Sequence, residues 1–105
     1  MPEVAQVYMY DHSAGMLMRD TGRYYFVYDP SYVERGGRAL SQSLPLQLEV
    51  FESEILFPYF DGLVSEGWLR KIQSQHQRID DSDHFRLLIN NGLNLAGAIR
   101  IEPTT

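Results

Sequence analysis

Val4-Ala5-Gln6-Val7-Tyr8-Met9-Tyr10 and Arg23-Tyr24-Tyr25-Phe26-Val27-Tyr28, with Met16-Leu17-Met18-Arg19-Asp20 between them, decide the fold. All three runs are rich in Tyr, Val, Met and Phe, the residues that fit a pleated, half-buried surface, and turn residues separate them. They predict three strands joined as two hairpins. The connections fall at Asp11-His12-Ser13-Ala14-Gly15 and at Thr21-Gly22, where glycine supplies the positive φ of a tight turn. In the first strand Ala5, Val7 and Met9 share one face and Gln6, Tyr8 and Tyr10 the other, so one face is assigned to a core.

Working outward, Asp29-Pro30-Ser31 stops the third strand and starts a short helical turn through Tyr32, Val33 and Glu34, which Gly36-Gly37 ends. In Ala39 to Leu46 the alternation of Leu40, Gln42, Leu44 and Leu46 against Ser41 and Ser43 predicts an edge strand with its serines outward, because Pro45 cannot donate to a ladder. From Leu56 the period changes. Leu56, Phe57, Phe60, Leu63 and Val64 fit one helical face, with the regular helix starting near Phe57 to accommodate Pro58, and that stripe is assigned to the core. Ser65-Glu66 then starts a second helix whose apolar residues are Trp68, Leu69 and Ile72. Asp80-Asp81-Ser82-Asp83 leads into a third helix through Phe85, Leu88 and Ile89, ended by Asn90-Asn91-Gly92, and Gly97 to Ile101 forms a last strand. Strands, then helices, then a strand, with short connections, predict an α+β fold of two to three short helices on a small antiparallel sheet.

With 105 residues the chain has the size of one domain, read as residues 1–105. Its 44% hydrophobic and 22% charged residues are ordinary for a chain that packs a core. The absence of cysteine removes disulfides, thiolate metal sites and thiol nucleophiles, and fits a reducing, cytoplasmic setting. No basic leader opens the sequence and no apolar run reaches the ~20 residues of a membrane span. A net charge of −5 argues against direct nucleic-acid binding, which rests on concentrated Lys and Arg, and favours a basic or neutral protein partner.

Chemistry-bearing patterns are absent. There is one lysine, Lys71, and no glycine-rich phosphate loop, so phosphoryl transfer has no support. No nucleophile elbow is present, and His12, His76 and His84 lack metal-pair spacing. Asp80, Asp81 and Asp83 lack the glycine and terminal glutamate of a calcium loop and read as negative charge at a helix start. Arg35-Gly36-Gly37-Arg38 is open to two readings, a turn or an anion cradle of backbone amides and guanidinium groups. The sequence therefore predicts no catalytic residue, metal or cofactor. A small-molecule-binding domain would need an apolar pocket with convergent polar groups, and nothing in the sequence requires one.

Three stretches in series carry a resemblance: Arg38-Ala39-Leu40-Ser41-Gln42-Ser43-Leu44-Pro45-Leu46; Phe57-Pro58-Tyr59-Phe60-Asp61-Gly62-Leu63-Val64-Ser65-Glu66-Gly67-Trp68-Leu69; and Phe85 to Leu88 leading to Gly92 and Ala96-Gly97-Ala98-Ile99-Arg100-Ile101. Together they resemble the N-terminal subdomain of HipA-type toxin kinases. That family's pattern runs roughly R-P-L-S-x-S-L-P-L, P-F-F-x-x-L-L-P-E-G, D-x-F-x-L-L and G-x-x-x-x-G-A-[VI]-x-[IV]. Ala39 and Ser65 stand where the family usually has proline. The resemblance implies a partly barrel-like sheet. A HipA protein continues into a kinase core, whereas this chain stops just past the strand that completes the subdomain.

In the tripartite relatives of such toxin–antitoxin operons a free subdomain of this kind, HipS, is the antitoxin of a kinase, HipT, that lacks it. The resemblance therefore implies a HipS-like antitoxin that inhibits a HipT-like serine/threonine kinase, with a HipB-like DNA-binding protein in the same complex. Trp68, followed by Leu69 and Lys71 and preceded by Ser65, Glu66 and Gly67, is the expected kinase-binding anchor, because one indole buries much apolar area at little entropic cost. The competing reading makes Trp68 a cover for the core edge with Leu69 and Ile72. Ser41 and Ser43 are candidate phosphorylation targets of the kinase, and ordinary edge-strand polarity accounts for them equally well. The alternative function is that of an N-terminal scaffolding piece of a full-length HipA enzyme.

Overall fold

The computed structural model describes residues 3–64, 75–80, 82–92, 95 and 98–104. Three strands form from the opening third of the chain: β1 (Glu3–Met9), β2 (His12–Asp20) and β3 (Arg23–Tyr28). After α1 (Pro30–Glu34) come β4 (Phe51–Ser53), α2 (Pro58–Asp61), α3 (His84–Asn90) and β5 (Ile99–Pro103). The strands make one five-stranded sheet in the order β4-β3-β2-β1-β5, and each pairing is antiparallel. This is the expected α+β architecture.

The β2–β3 turn lies at Thr21-Gly22, both at positive φ, as the sequence predicts. The β1–β2 turn does not lie at Asp11 to Gly15. Tyr10 and Asp11 take φ of 50° and 65° and close a two-residue turn, so β2 starts at His12. Aspartate tolerates the left-handed region, and the right-handed twist of the strands favours a turn of that hand. Gly15 is instead a strand residue, opposite Val7 on one side and Tyr28 on the other. The register slips between Val7 and Tyr8, leaving Ala14 as the extra residue of a β-bulge, whose carbonyl accepts from the Asp29 amide at 2.9 Å.

Burial follows the predicted face. Ala5 and Val7 of β1, Leu17 of β2, Phe26 and Tyr28 of β3 and Ile99 and Ile101 of β5 point to one side of the sheet and are buried there. Against them pack Leu56, Phe57, Phe60 and Val64 around α2 and Phe85, Leu87 and Leu88 of α3, while Leu63 is partly buried. Pro58 sits in the first turn of α2, where its missing N–H costs nothing, and that helix is a single turn. Asn91 caps α3, and Gly92 has a different role from ending the helix. A Cβ there would lie 1.9 Å from the Ile101 carbonyl oxygen, so only glycine lets the end of α3 press against β5.

Two other expectations are corrected. Residues 39–46 are not an edge strand; among the described residues their only pairing is an isolated bridge between Ser41 and Leu44. The buried Tyr28 hydroxyl organises them instead, accepting from the Leu40 amide at 2.9 Å and donating to the Leu44 carbonyl. This ties Leu40 and Leu44 into the core without a ladder; Ser41 is half-buried, Ser43 is exposed, and their hydroxyls lie 2.9 Å apart. The last strand runs to Pro103 rather than ending at Ile101, because β5 is a sheet edge where proline's missing donor is not required. The opposite edge, β4, is too short to show a period in the sequence. The second helix expected from Ser65 falls on residues 65–74, outside the described residues; residues 75–77 are helical.

Replacing Tyr28 by Phe keeps the packed ring but strips a buried N–H and a buried C=O of their partner. Tyr28→Phe is expected to lower the unfolding free energy by about 1 to 3 kcal/mol. Urea denaturation checks this, and the slope of the transition should stay at the wild-type value.

Candidate functional site

Ser65, Glu66, Gly67, Trp68, Leu69 and Lys71 all lie outside the described residues. The structure describes what holds the chain on either side of them. On the near side Val64 is buried against the core, and its amide donates to the Asp61 carbonyl at 3.2 Å. Asp61, the last residue of α2, meets the Nδ1 of His84 at the start of α3, tying the two short helices together. On the far side the Gln77 and Asn91 amides bond reciprocally at 2.8 and 3.1 Å, and Asn91 also donates to the Leu87 carbonyl. A helical turn before the third helix is thereby fastened to that helix's end.

The acidic run before α3 has a structural account. Asp83 accepts from the Arg86 amide at 3.1 Å and so caps the helix, and Asp80 accepts both the amide and the hydroxyl of Ser82. Asp83 also bonds Arg19 at 2.8 Å, Arg19 bonds Glu3 at 2.6 Å, and Glu3 bonds Arg86 at 2.8 Å. The Arg19 guanidinium lies 4.7 Å from the centre of the Phe85 ring. Strands β1 and β2 are joined to α3 through this ring of charges. Burial disfavours the charged form of Arg19, but its bonds to Asp83 and Glu3 outweigh that and hold it above its ordinary value. Burial likewise opposes ionisation of Asp83, and the Arg19 and Arg86 contacts overcome it, holding the carboxyl below its ordinary range. Among the described residues no three His, Asp or Glu side chains are grouped to hold a metal ion.

The two sides of the sheet differ. Away from the core, Met16 and Met18 of β2 and Tyr25 and Val27 of β3 join Val50 and Asp20 around a shallow cavity of about 260 Å³. Val50 at its edge is largely exposed, as are Leu48 and Ile55 elsewhere in the same stretch of chain. None of the described helices covers this side. Next to it the face turns polar: Arg100 stacks 4.2 Å from the centre of the Tyr8 ring and pairs with Asp11. The sequence reading missed this apolar patch, although its signal was present. Met16-Leu17-Met18 and Tyr24 to Tyr28 are apolar in both phases of a strand, which marks burial on both faces rather than one.

The Arg35-Gly36-Gly37-Arg38 amides do not form an anion cradle. The amides of Arg35, Gly36 and Gly37 donate to the Ser31, Val33 and Tyr32 carbonyls and are used in ending α1, with Gly36 at φ +68°. The turn reading holds for the backbone.

Residues 5–102 match the model of the HipA N-terminal domain family. A solved structure titled "N-terminal domain of HipA toxin" is similar with a TM-score of 0.78 and 40% sequence identity, over 98% of this chain and 93% of that one. An uncharacterized protein of Haemophilus influenzae is 45% identical over 97 residues, which are 92% of this chain and 89% of that protein.

The charge ring makes a pH-dependent prediction. Asp83 has a folded pKa below its unfolded value of 3.8, so its contribution is complete above about pH 4 and is lost as pH falls through the lowered folded value. Asp83→Asn keeps a capping side chain and removes the charge. The variant should be about 1 to 2 kcal/mol less stable than wild type at neutral pH and should converge with it on acidification; thermal melts across that range measure both.

Proposed function

The chain belongs to the HipA N-terminal domain family, and from that premise we propose that it is an antitoxin that binds and inhibits a HipA-type serine/threonine kinase by protein–protein contact. The observation that carries the reading is that the family match accounts for residues 5–102 with the N-terminal domain of a HipA toxin, the part that the resemblance implies is separate from a kinase core. A subdomain that packs against the rest of an enzyme within one chain retains that packing surface when it is supplied as a separate molecule. A relative matched over 89% of its own length supports the reading that this domain occurs as a small protein.

The inhibitor needs no catalytic group of its own. It blocks by occupancy: an anchor side chain enters a pocket of the kinase, while the surrounding contacts exclude water. Trp68 is the anchor of this reading, Glu66 offers a carboxylate to basic groups of the phosphate-binding region, and Ser65, Gly67, Leu69 and Lys71 complete the contact. The described residues on either side are themselves anchored, Val64 in the core and Gln77 on Asn91. The HipT-like kinase is the direct partner, and a HipB-like DNA-binding protein joins through the complex.

Co-purification with a truncated HipA-type kinase, followed by kinase assay and growth measurement, tests the proposal. The wild-type protein should form a stable complex, suppress phosphoryl transfer and relieve growth arrest. Trp68→Ala should fold with an unchanged melting temperature and bind at least about 30-fold more weakly, the loss of an aromatic hot spot. An unfolded variant, or one that inhibits as well as wild type, would overturn the anchor role. Absence of any complex with such kinases would overturn the function.

A further inference from the structure

The side chains of the Arg35 to Arg38 turn have a role that its backbone does not. Arg19, Arg23, Arg86 and Arg100 each meet a carboxylate. In a chain of net charge −5, acidic partners are abundant, yet among the described residues Arg35, Arg38 and Arg78 have none, and of these only Arg35 and Arg38 share a cleft. Together with Met9, Tyr10, His12, Tyr32 and Gly37 they line a cleft of about 350 Å³. Both charges act on one point, the Tyr32 hydroxyl. Burial raises that group above its ordinary value, while its bond to the Arg38 carbonyl and the charges of Arg35 and Arg38 pull the other way. Gly37 completes the wall, because a Cβ there would lie 2.6 Å from the Tyr32 ring.

We propose that this cleft is a phosphomonoester site that takes a phosphorylated serine or threonine side chain of an extended peptide. Two unpaired guanidinium groups supply the planar, fork-like donors that bind phosphate oxygens in pairs, and the His12 ring adds a further nitrogen at the rim. The cleft is larger than a bare phosphate needs. Its remaining walls are a thioether and two phenol rings, which suit the aliphatic neighbours of a phosphorylated residue. Among the described residues no carboxylate or amide side chain lines it to read the edge of a nucleobase. The net negative charge of the whole chain opposes a polyphosphate backbone but tolerates a single phosphate held at two local cations.

The test is a two-dimensional NMR titration of the full chain with inorganic phosphate, adenosine monophosphate, and a short phosphoserine peptide with aliphatic flanks beside its unphosphorylated twin. The phosphopeptide should give saturable shifts at Tyr10, His12 and Gly37 and bind about tenfold or more tightly than inorganic phosphate, adenosine monophosphate or the twin. Arg35→Gln and Arg38→Gln, read separately, should each weaken it about tenfold, whereas Arg78→Gln, which removes an exposed arginine outside the cleft, should change nothing. Absence of saturable shifts, equal binding of the twin or of inorganic phosphate, tighter binding of adenosine monophosphate, or indifference to both arginines would each overturn the assignment. Because no kinase is present, the outcome is independent of whether the chain inhibits one.

Discussion

The ring of Phe26, fully buried on the core face of β3, is the contact on which the rest of the molecule depends. Its centre lies 4.9 Å from that of Tyr28, 5.4 Å from Phe60 of α2 and 6.3 Å from Phe51 of β4, so one side chain joins the middle of the sheet, its edge strand and a helix that follows it. Tyr28 extends the cluster to Tyr32 of α1, with the two rings nearly parallel and 6.0 Å apart. A chain without disulfides must hold its short helices by such packing, since helices of four to seven residues have no independent stability. The Tyr28 hydroxyl adds a second function to the same residue, fixing a connection that has almost no secondary structure of its own.

That dependence on one face gives the other face its meaning. The strands that carry Phe26 and Leu17 inward carry Tyr25, Val27, Met16 and Met18 outward, and a sheet whose function was only to fold would place polar residues there. Solvation of so many apolar groups costs free energy that nothing within the described residues recovers. Such a face is the physical signature of a surface that gains stability when covered.

Legibility of the sequence tracked how local the determining physics is. The three opening strands, the core phase of β1, the helix after Phe57 and the cap before α3 each rest on neighbours within a few residues, and each was readable. The turn at Tyr10-Asp11 was not, because Gly15 offered a more obvious source of positive φ and only the pairing of Val7 with Gly15 shows that this glycine belongs inside a strand. The connection from Ala39 to Leu46 resembles a strand in sequence because its leucines alternate, yet the partner that organises it is a hydroxyl twelve to sixteen residues earlier in the chain. Gly92 is required by a contact with Ile101, again a fact of tertiary packing. For the candidate site, the expected anchor segment lies outside the described residues. The outward patch was legible in principle, through strands apolar in both phases, but only a test for two-sided burial would have found it.

Charge is arranged by a different rule from packing. Glu3, Arg19, Asp83 and Arg86 close a ring that couples the first strands to the helix formed sixty residues later, and Arg23 and Arg100 are each neutralised where they stand. Partly buried pairs of this kind gain little over an apolar alternative in stability, but they penalise any arrangement in which one partner is missing, and so they select one docking of α3 over its neighbours. Against that background the two arginines of the α1 turn differ, because neither takes part in selecting the fold. A cation that has no internal partner in an acidic protein retains its hydration and its electrostatic capacity, and both are available to an external anion. Lack of an internal partner is not by itself the distinction, since among the described residues Arg78 has no carboxylate either; what sets Arg35 and Arg38 apart is that they share one cleft, a placement that composition and net charge alone do not contain.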